Sequence, residues 1–171
     1  LVANLRRAGR FAFQKNLDQL GKPVDATNWD MAPQIVNAGY NPTKNEIMFP
    51  AGILQQPWFH GSIDDAVNYG AMGMVIGHEM THGFDDAGRR FDKNGNMTDW
   101  WTAADGAEFE RRAQCVADQY SGYTTVDEVK LNGKLTLGEN VADNGGVRVA
   151  YGAFLETLAG RQGEPQDGFT P

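Results

Sequence analysis

The sequence predicts an α+β fold, mainly α, with a short β-sheet at one edge. Three observations carry this. Helices are read over about residues 1–20 and 66–86, from residue 102 onward, and over 137–158. Residues 34–40 and 46–50 read as two short strands around a turn rich in Asn and Pro. The chain has 171 residues, 41% of them hydrophobic, which is enough for one domain with a core, and it shows no internal repeat or low-complexity block.

In chain order, Leu5, Phe13, Leu17 and Leu20 space a first helix, with Arg6, Arg7, Arg10 and Lys15 between them and Gly21-Lys22-Pro23 stopping it. The strands Gln34 to Tyr40 and Glu46 to Pro50 flank Asn41-Pro42-Thr43-Lys44-Asn45 as a turn. Residues 51–66 look irregular. A helix over Ala66 to Asp86 carries Met72, Met74, Val75, Ile76 and Met80, apolar around much of its circumference and therefore buried. Its glycines, Gly70, Gly73 and Gly77, each cost about 1 kcal/mol of helix stability relative to Ala, but they admit a neighbouring backbone.

Asp92-Lys93-Asn94-Gly95-Asn96 resembles the start of a calcium loop. Its glycine stands at position four rather than six and Ala103 occupies position twelve, so a polar turn is expected instead. Trp100-Trp101 is expected to anchor that loop in a core. Thr102 and Asp105 form a loose capping box, with Asp where Glu or Gln is usual. The helix behind it places Phe109, Ala113, Val116 and Tyr120 on one face. Residues 121–134 read as loop and a short strand, the last helix as Leu137 to Leu158, and the Gly-, Pro- and Gln-rich tail after Gly160 as loose.

The chemistry concentrates in His78-Glu79-Met80-Thr81-His82, an H-E-x-x-H pattern. Histidines four apart share one face of a helix, so two imidazoles can hold one zinc ion, with Glu79 beside them to take a proton from a metal-bound water. Five residues can match by chance on an amphipathic helix. Here the helix is apolar, and buried polar side chains need partners, which a metal supplies to both histidines at once.

A catalytic zinc takes three protein ligands and keeps one position open. Only one further histidine exists, His60, in an apparent loop, and Gly88 stands six residues after His82 where another class of site places its third histidine. A carboxylate remains. In Gly138-Glu139-Asn140-Val141-Ala142-Asp143-Asn144-Gly145-Gly146, Glu139 and Asp143 are four apart and point the same way on a helix. That spacing allows Glu139 to bind the metal while Asp143 accepts a hydrogen bond from a ligand histidine. The alternative is a solvated helix face carrying two acids.

These residues resemble the catalytic region of neprilysin-family zinc metallopeptidases, a branch of the gluzincins. The likeness covers nearly all of the chain. Val36-Asn37-Ala38-Gly39-Tyr40 is similar to the family's N-A-x-Y segment. The stretches from Asn45 to Gln55, from Val75 to Asp86, and from Leu137 to Gly146 are similar to its next conserved stretch and its two zinc motifs. The resemblance implies a zincin-like (thermolysin-like) core and one zinc ion held by His78, His82 and Glu139, with Glu79 as general base. It also implies that Asp143 supports His78, its counterpart being described in some accounts as a proton donor. Asn37 and Ala38 would bind a peptide backbone along a sheet edge. Gly39 departs from the aromatic-rich third position of N-A-x-Y.

The resemblance further implies that residues 1–171 form one partial catalytic domain, with an enclosing helical lobe and a downstream histidine and arginines outside this chain. Neither Leu1 nor Gly168-Phe169-Thr170-Pro171 reads as a natural terminus. The expected partners are peptide substrates and the remainder of the parent domain, and the parent is expected to be exported. A net charge of −7 argues against nucleic acid or anionic membrane as the main partner, and no run of about 20 apolar residues provides a membrane span. Cys115, the only cysteine, excludes an internal disulfide and reads as a small buried residue. The functional expectation is a zinc-dependent endopeptidase. The alternative is a zinc-binding but catalytically incomplete module that is structural or binds peptides.

Overall fold

The computed structural model describes residues 1–25 and 27–159, so the tail after Gly160 lies outside the described residues. The chain divides into two compact units, residues 1–30 and residues from 31 on. The first is built on α1 (Val2–Leu17), whose residues are all solvent-exposed. The chain leaves it through Asp18 and turns at Gly21, where φ is +74°.

The second unit is mainly helical around one two-stranded sheet. Strands β1 (Gly39–Asn41) and β2 (Glu46–Met48) pair antiparallel, with Gly39 opposite Met48 and Asn41 opposite Glu46. Both are shorter than the sequence predicts. Residues 34–38 stay outside the ladder, and Phe49 and Pro50 turn away into a 3₁₀ turn at Ala51–Ile53. Ala38, Ile53 and Met72 form a buried cluster flanked by Phe49, Trp58 and Val75.

The helix expected over residues 66–86 is a composite. α2 (Asp65–Asn68), capped by the Asp64 side chain on Ala66 N–H, runs through a π turn at Tyr69–Gly73 into α3 (Met74–His82). The last turn tightens, with Phe84 N–H bonding Thr81 C=O, and the chain then leaves helical geometry. α3 ends four residues before the predicted boundary because Asp85 turns its side chain onto the N–H groups of Ala87 and Gly88, at 2.9 and 2.7 Å.

The 92–96 segment is the polar turn expected. Asp92 Oδ1 accepts from the N–H groups of Asn94 and Asn96, both at 2.9 Å, so one carboxylate oxygen is already engaged by backbone. Trp101 packs edge-on against Phe109 with ring centroids 5.7 Å apart. Trp100 remains half-exposed and donates its indole N–H to Phe91 C=O.

α4 (Ala103–Ser121) starts at Thr102, whose hydroxyl oxygen accepts from Asp105 N–H. Asp105 accepts in return from the Thr102 hydroxyl, at 2.6 Å, rather than from its backbone N–H: one methylene shorter than Glu, it completes half of the capping box. Phe109, Ala113, Val116 and Tyr120 do share the inner face. Cys115 corrects the expectation: it is exposed, on the opposite side of the helix. α5 (Leu137–Leu158) matches its predicted span and packs across α3. Among the described residues no helix is long and apolar enough to cross a membrane.

Candidate metal and active site

α3 projects both imidazoles from one face. His78 Nε2 and His82 Nε2 lie 2.9 Å apart, with the rings edge to face. Each opposite nitrogen meets a carboxylate: His78 Nδ1 is 2.9 Å from Asp143 Oδ1, and His82 Nδ1 is 2.7 Å from Asp85 Oδ2. A carboxylate accepts, so each Nδ1 donates. In the neutral rings this leaves two Nε2 lone pairs facing the same point. Lone pairs 2.9 Å apart repel unless a proton or a cation lies between them.

The third direction comes from α5. Glu139 Oε2 is 3.3 Å from His78 Nε2 and 3.6 Å from His82 Nε2. A tetrahedral centre with bonds of about 2.0–2.1 Å spaces its ligand atoms about 3.3 Å apart, so these three atoms could share one zinc ion. Two imidazole nitrogens and one carboxylate oxygen form the donor set that zinc takes when it keeps a position open for water.

Glycine explains how α5 reaches the histidines. A Cβ on Gly77 would come within 2.9 Å of Gly146 Cα, and one on Gly146 within 2.6 Å of Met74 C=O and 2.7 Å of His78 N. The helices therefore cross backbone to backbone right beside His78. At this separation the short Asp143 side chain meets the imidazole directly, and Glu139, one turn earlier on α5, reaches the pair from above.

Glu79 points the other way from solvent and is 5% exposed. Its carboxylate lies within 4.8 Å of the ligand nitrogens of both histidines. Burial pushes its pKa up. The two imidazoles and the Tyr40 backbone N–H pull against that, and Glu139 adds to it. A carboxyl group so poised exchanges a proton nearer neutrality than an exposed glutamate does.

These groups line one open cleft of about 400 Å³, whose opposite wall is Asn37, Ala38, Gly39 and Tyr40. Asn37 and Ala38 thus lie across the cleft from the histidines, just before β1. Among the described residues β1 pairs with no strand other than β2. The structure brings Asn37, Ala38, His78, Glu79, His82, Glu139 and Asp143 to this one place. His60 is elsewhere, exposed in a loop with Nδ1 2.9 Å from Ser62 Oγ.

Sequence reasoning missed Asp85. It is 4% exposed, and its two oxygens divide between His82 and the Ala87 and Gly88 N–H groups. Burial alone would raise its pKa, but these hydrogen bonds outweigh it and hold the carboxyl below the usual range. The same contact with Asp85 raises the pKa of His82. Asp85 stands three residues after His82 but beyond the end of α3, so helical spacing offered no signal for it. Gly88 is equally constrained, since a Cβ there would overlap His82 C=O.

The sequence profile of peptidase family M13 matches residues 37–169. The chain is 54% identical over 153 residues to the endothelin-converting enzyme homolog of Locusta migratoria, covering 90% of this chain and 21% of that protein. It is 52% identical over 151 residues to neprilysin-3 of Drosophila melanogaster, covering 88% and 19%. To membrane metallo-endopeptidase-like 1 of Homo sapiens it is 51% identical over 148 residues, covering 85% and 19%. The fold is similar to that of the Mycobacterium tuberculosis zinc metalloprotease ZMP1 crystallised with an inhibitor. The TM-score is 0.86 at 45% identity, over 92% of this chain and 25% of the other. The chain spans about a fifth of the length of the curated relatives it matches.

Proposed function

The chain belongs to peptidase family M13, and from that premise we propose that its cleft hydrolyses peptide bonds, with His78, His82 and Glu139 holding one zinc ion and Glu79 as general base. The observation that carries this reading is the convergence of two Nε2 atoms and Glu139 Oε2, separated by 2.9, 3.3 and 3.6 Å, beside a buried glutamate. Bound there, zinc supplies a Lewis acid for the scissile carbonyl and brings the pKa of a water towards about 7.

The protein groups do the rest. Glu79 takes the proton of the attacking water as the C–O bond forms, and returns it to the amine as the C–N bond breaks. Its raised pKa suits both halves of that exchange. Asp143 and Asp85 hold the imidazoles in the tautomer that turns both Nε2 lone pairs inward. Asn37 and Ala38 receive the substrate backbone as an added strand in the cleft. The substrates are peptides, and the parent protein acts outside the cytoplasm, a reading supported by the relative named as a membrane metallo-endopeptidase.

The test pairs metal analysis after dialysis with cleavage of a mixed peptide library, for the chain and for Glu79→Gln. One zinc per chain in both proteins, with turnover lost only in the variant, is the expected result. Turnover by Glu79→Gln at the parent rate would remove the base assignment. Stoichiometric zinc without turnover in the parent chain would favour a zinc-holding, peptide-binding module.

A further inference from the structure

We infer that Arg89 is a positioning residue for the zinc-holding cleft, its side chain locking against α4 the turn that presents Asp85 to His82. The inference deepens the proposed function and rests on it. Asp85 lies beyond the end of α3, so helical geometry does not set the 2.7 Å between its Oδ2 and His82 Nδ1. The turn that follows does. Gly88 N–H donates to Asp85 Oδ1 at 2.7 Å and Ala87 N–H at 2.9 Å, while Arg89 N–H donates to Asp85 C=O at 3.1 Å. The side chain and the carbonyl of Asp85 are thus both fastened to residues 87–89, which lead into the 3₁₀ turn Gly88–Arg90.

So short a turn needs an anchor of its own, and the Arg89 side chain, 16% exposed, supplies it by reaching the first turns of α4. Its Nη2 donates to Glu110 Oε1 at 2.9 Å. Its guanidinium carbon lies 4.8 Å from the Phe109 ring centre and 5.7 Å from that of Trp101, within the range at which a cation is drawn to an aromatic face. Gly106 leaves room for it, since a Cβ there would stand 3.4 Å from Arg89 Nη1. Arg89 Nε is buried with no hydrogen-bond partner among the described residues, so the hold on α4 comes from Nη2 and the two rings. A largely buried cation is costly without such partners, which ties the turn to α4. Contacts therefore run from Glu110, Phe109 and Trp101 through Arg89 and Asp85 to His82, and Arg89 acts on the metal position only through Asp85.

Zinc affinity of the full chain, read by competition with a chelator, tests this. Arg89→Met keeps an unbranched stem, removes the cation, and leaves Glu110, whose side chain is 71% exposed, in water. It is expected to melt cooperatively and to bind zinc about tenfold more weakly, the low end of what loss of a ligand's outer partner costs. A merely structural loss would add to other lesions. A role played through Asp85 does not add, because Asp85→Ala has already cut the route. The double variant Arg89→Met/Asp85→Ala is therefore expected to bind zinc as Asp85→Ala alone does. Glu110→Lys reverses an exposed charge and is expected to weaken zinc roughly two- to fivefold, the scale of one exposed ion pair.

Parent-like zinc affinity in folded Arg89→Met, or full additivity in the double variant, overturns the positioning role and leaves the proposed function standing. If Arg89→Met does not fold, Glu110→Lys decides, and unchanged zinc affinity there overturns the role. If the parent chain itself binds no zinc, the proposed function falls and this inference falls with it.

Discussion

His82 Nδ1 and Asp85 Oδ2 stand 2.7 Å apart, and the other oxygen of this almost fully buried carboxylate holds two backbone N–H groups. One side chain therefore orients an imidazole and ends α3. Asp85→Ala is expected to lower zinc affinity roughly 10–100-fold and also to lower the melting temperature, because it leaves two N–H groups unpaired. Asp143, whose side chain is 54% exposed and, among the described residues, bonds His78 alone, behaves differently: Asp143→Ala weakens zinc by a similar factor and leaves the melting temperature close to the parent's. Competition with a chelator and thermal melts read the two effects separately. Parent-like zinc affinity in Asp85→Ala would contradict the assignment.

The same pair sets a pH dependence in metal-free chain. The pKa of His82 is raised above its ordinary 6.5, chiefly by the Asp85 hydrogen bond, so its stabilisation is full below about 6.5 and is lost as pH rises through the folded value. The pKa of Asp85 is lowered below its ordinary 3.8, so its stabilisation is present above about 3.8 and is lost as pH falls through the folded value. Metal-free protein is expected to melt highest in the weakly acidic window between these limits and to weaken towards alkaline pH. Asp85→Asn flattens that profile. Zinc affinity runs the opposite way over the same window, rising with pH because both imidazoles must be neutral to bind. Melts and zinc titrations at stepped pH check both slopes.

Glu79 is a buried carboxyl whose folded pKa is raised above 4.5, chiefly by burial. Its ionised form is disfavoured by the fold, so the stability it allows below that value is lost as pH rises through its folded pKa. Glu79→Gln removes the penalty and keeps the shape. Metal-free Glu79→Gln is expected to melt above the parent at neutral pH and alike at pH values well below 4.5. Equal melting temperatures at neutral pH would show that the carboxylate is adequately solvated in place.

The helix crossing predicts opposite outcomes for two glycines of α5. Gly146→Ala drives a methyl group into Met74 C=O and His78 N and is expected to destabilise by about 1–3 kcal/mol, as overpacking does, and to weaken zinc by moving Glu139. Gly152→Ala meets nothing within 4 Å and is expected to stabilise by roughly 0.5–1 kcal/mol through backbone entropy alone. Denaturant unfolding of the two variants settles the sign of each. Stabilisation in Gly146→Ala would mean that the helices separate at no cost.

Cys115 is exposed on α4. Native chain is expected to react with a thiol reagent as fast as denatured chain does. Protection in the native state would restore the buried reading.

What the sequence made legible followed from periodicity. His78 and His82 share a face because they are four apart on a helix, and Glu139 and Asp143 do so for the same reason. The α5 span was readable because no proline interrupts Leu137 to Leu158 and a Gly-, Pro- and Gln-rich tail follows it. Asp85 was not readable, since it acts after α3 has ended, where helical spacing no longer says which way a side chain points. The strands were overestimated because Ala38 is apolar for packing against Ile53 and Met72 rather than for pairing. Cys115 was misplaced because a small apolar residue amid a helix fits either side. The buried face is defined by Ala113 and Ala117, whose four-residue spacing leaves Cys115 on the far side.

The close contact of Gly77 with Gly146 has a consequence for how the molecule comes apart. A cation gripped by residues of both helices would bridge distant points of the chain and close into one loop everything from His82 to Glu139, α4 included. Pulling it out with a chelator should then free α5 to swing off its neighbour before the rest of the unit melts, and the backbone amides of α5 should be the first to exchange with heavy water.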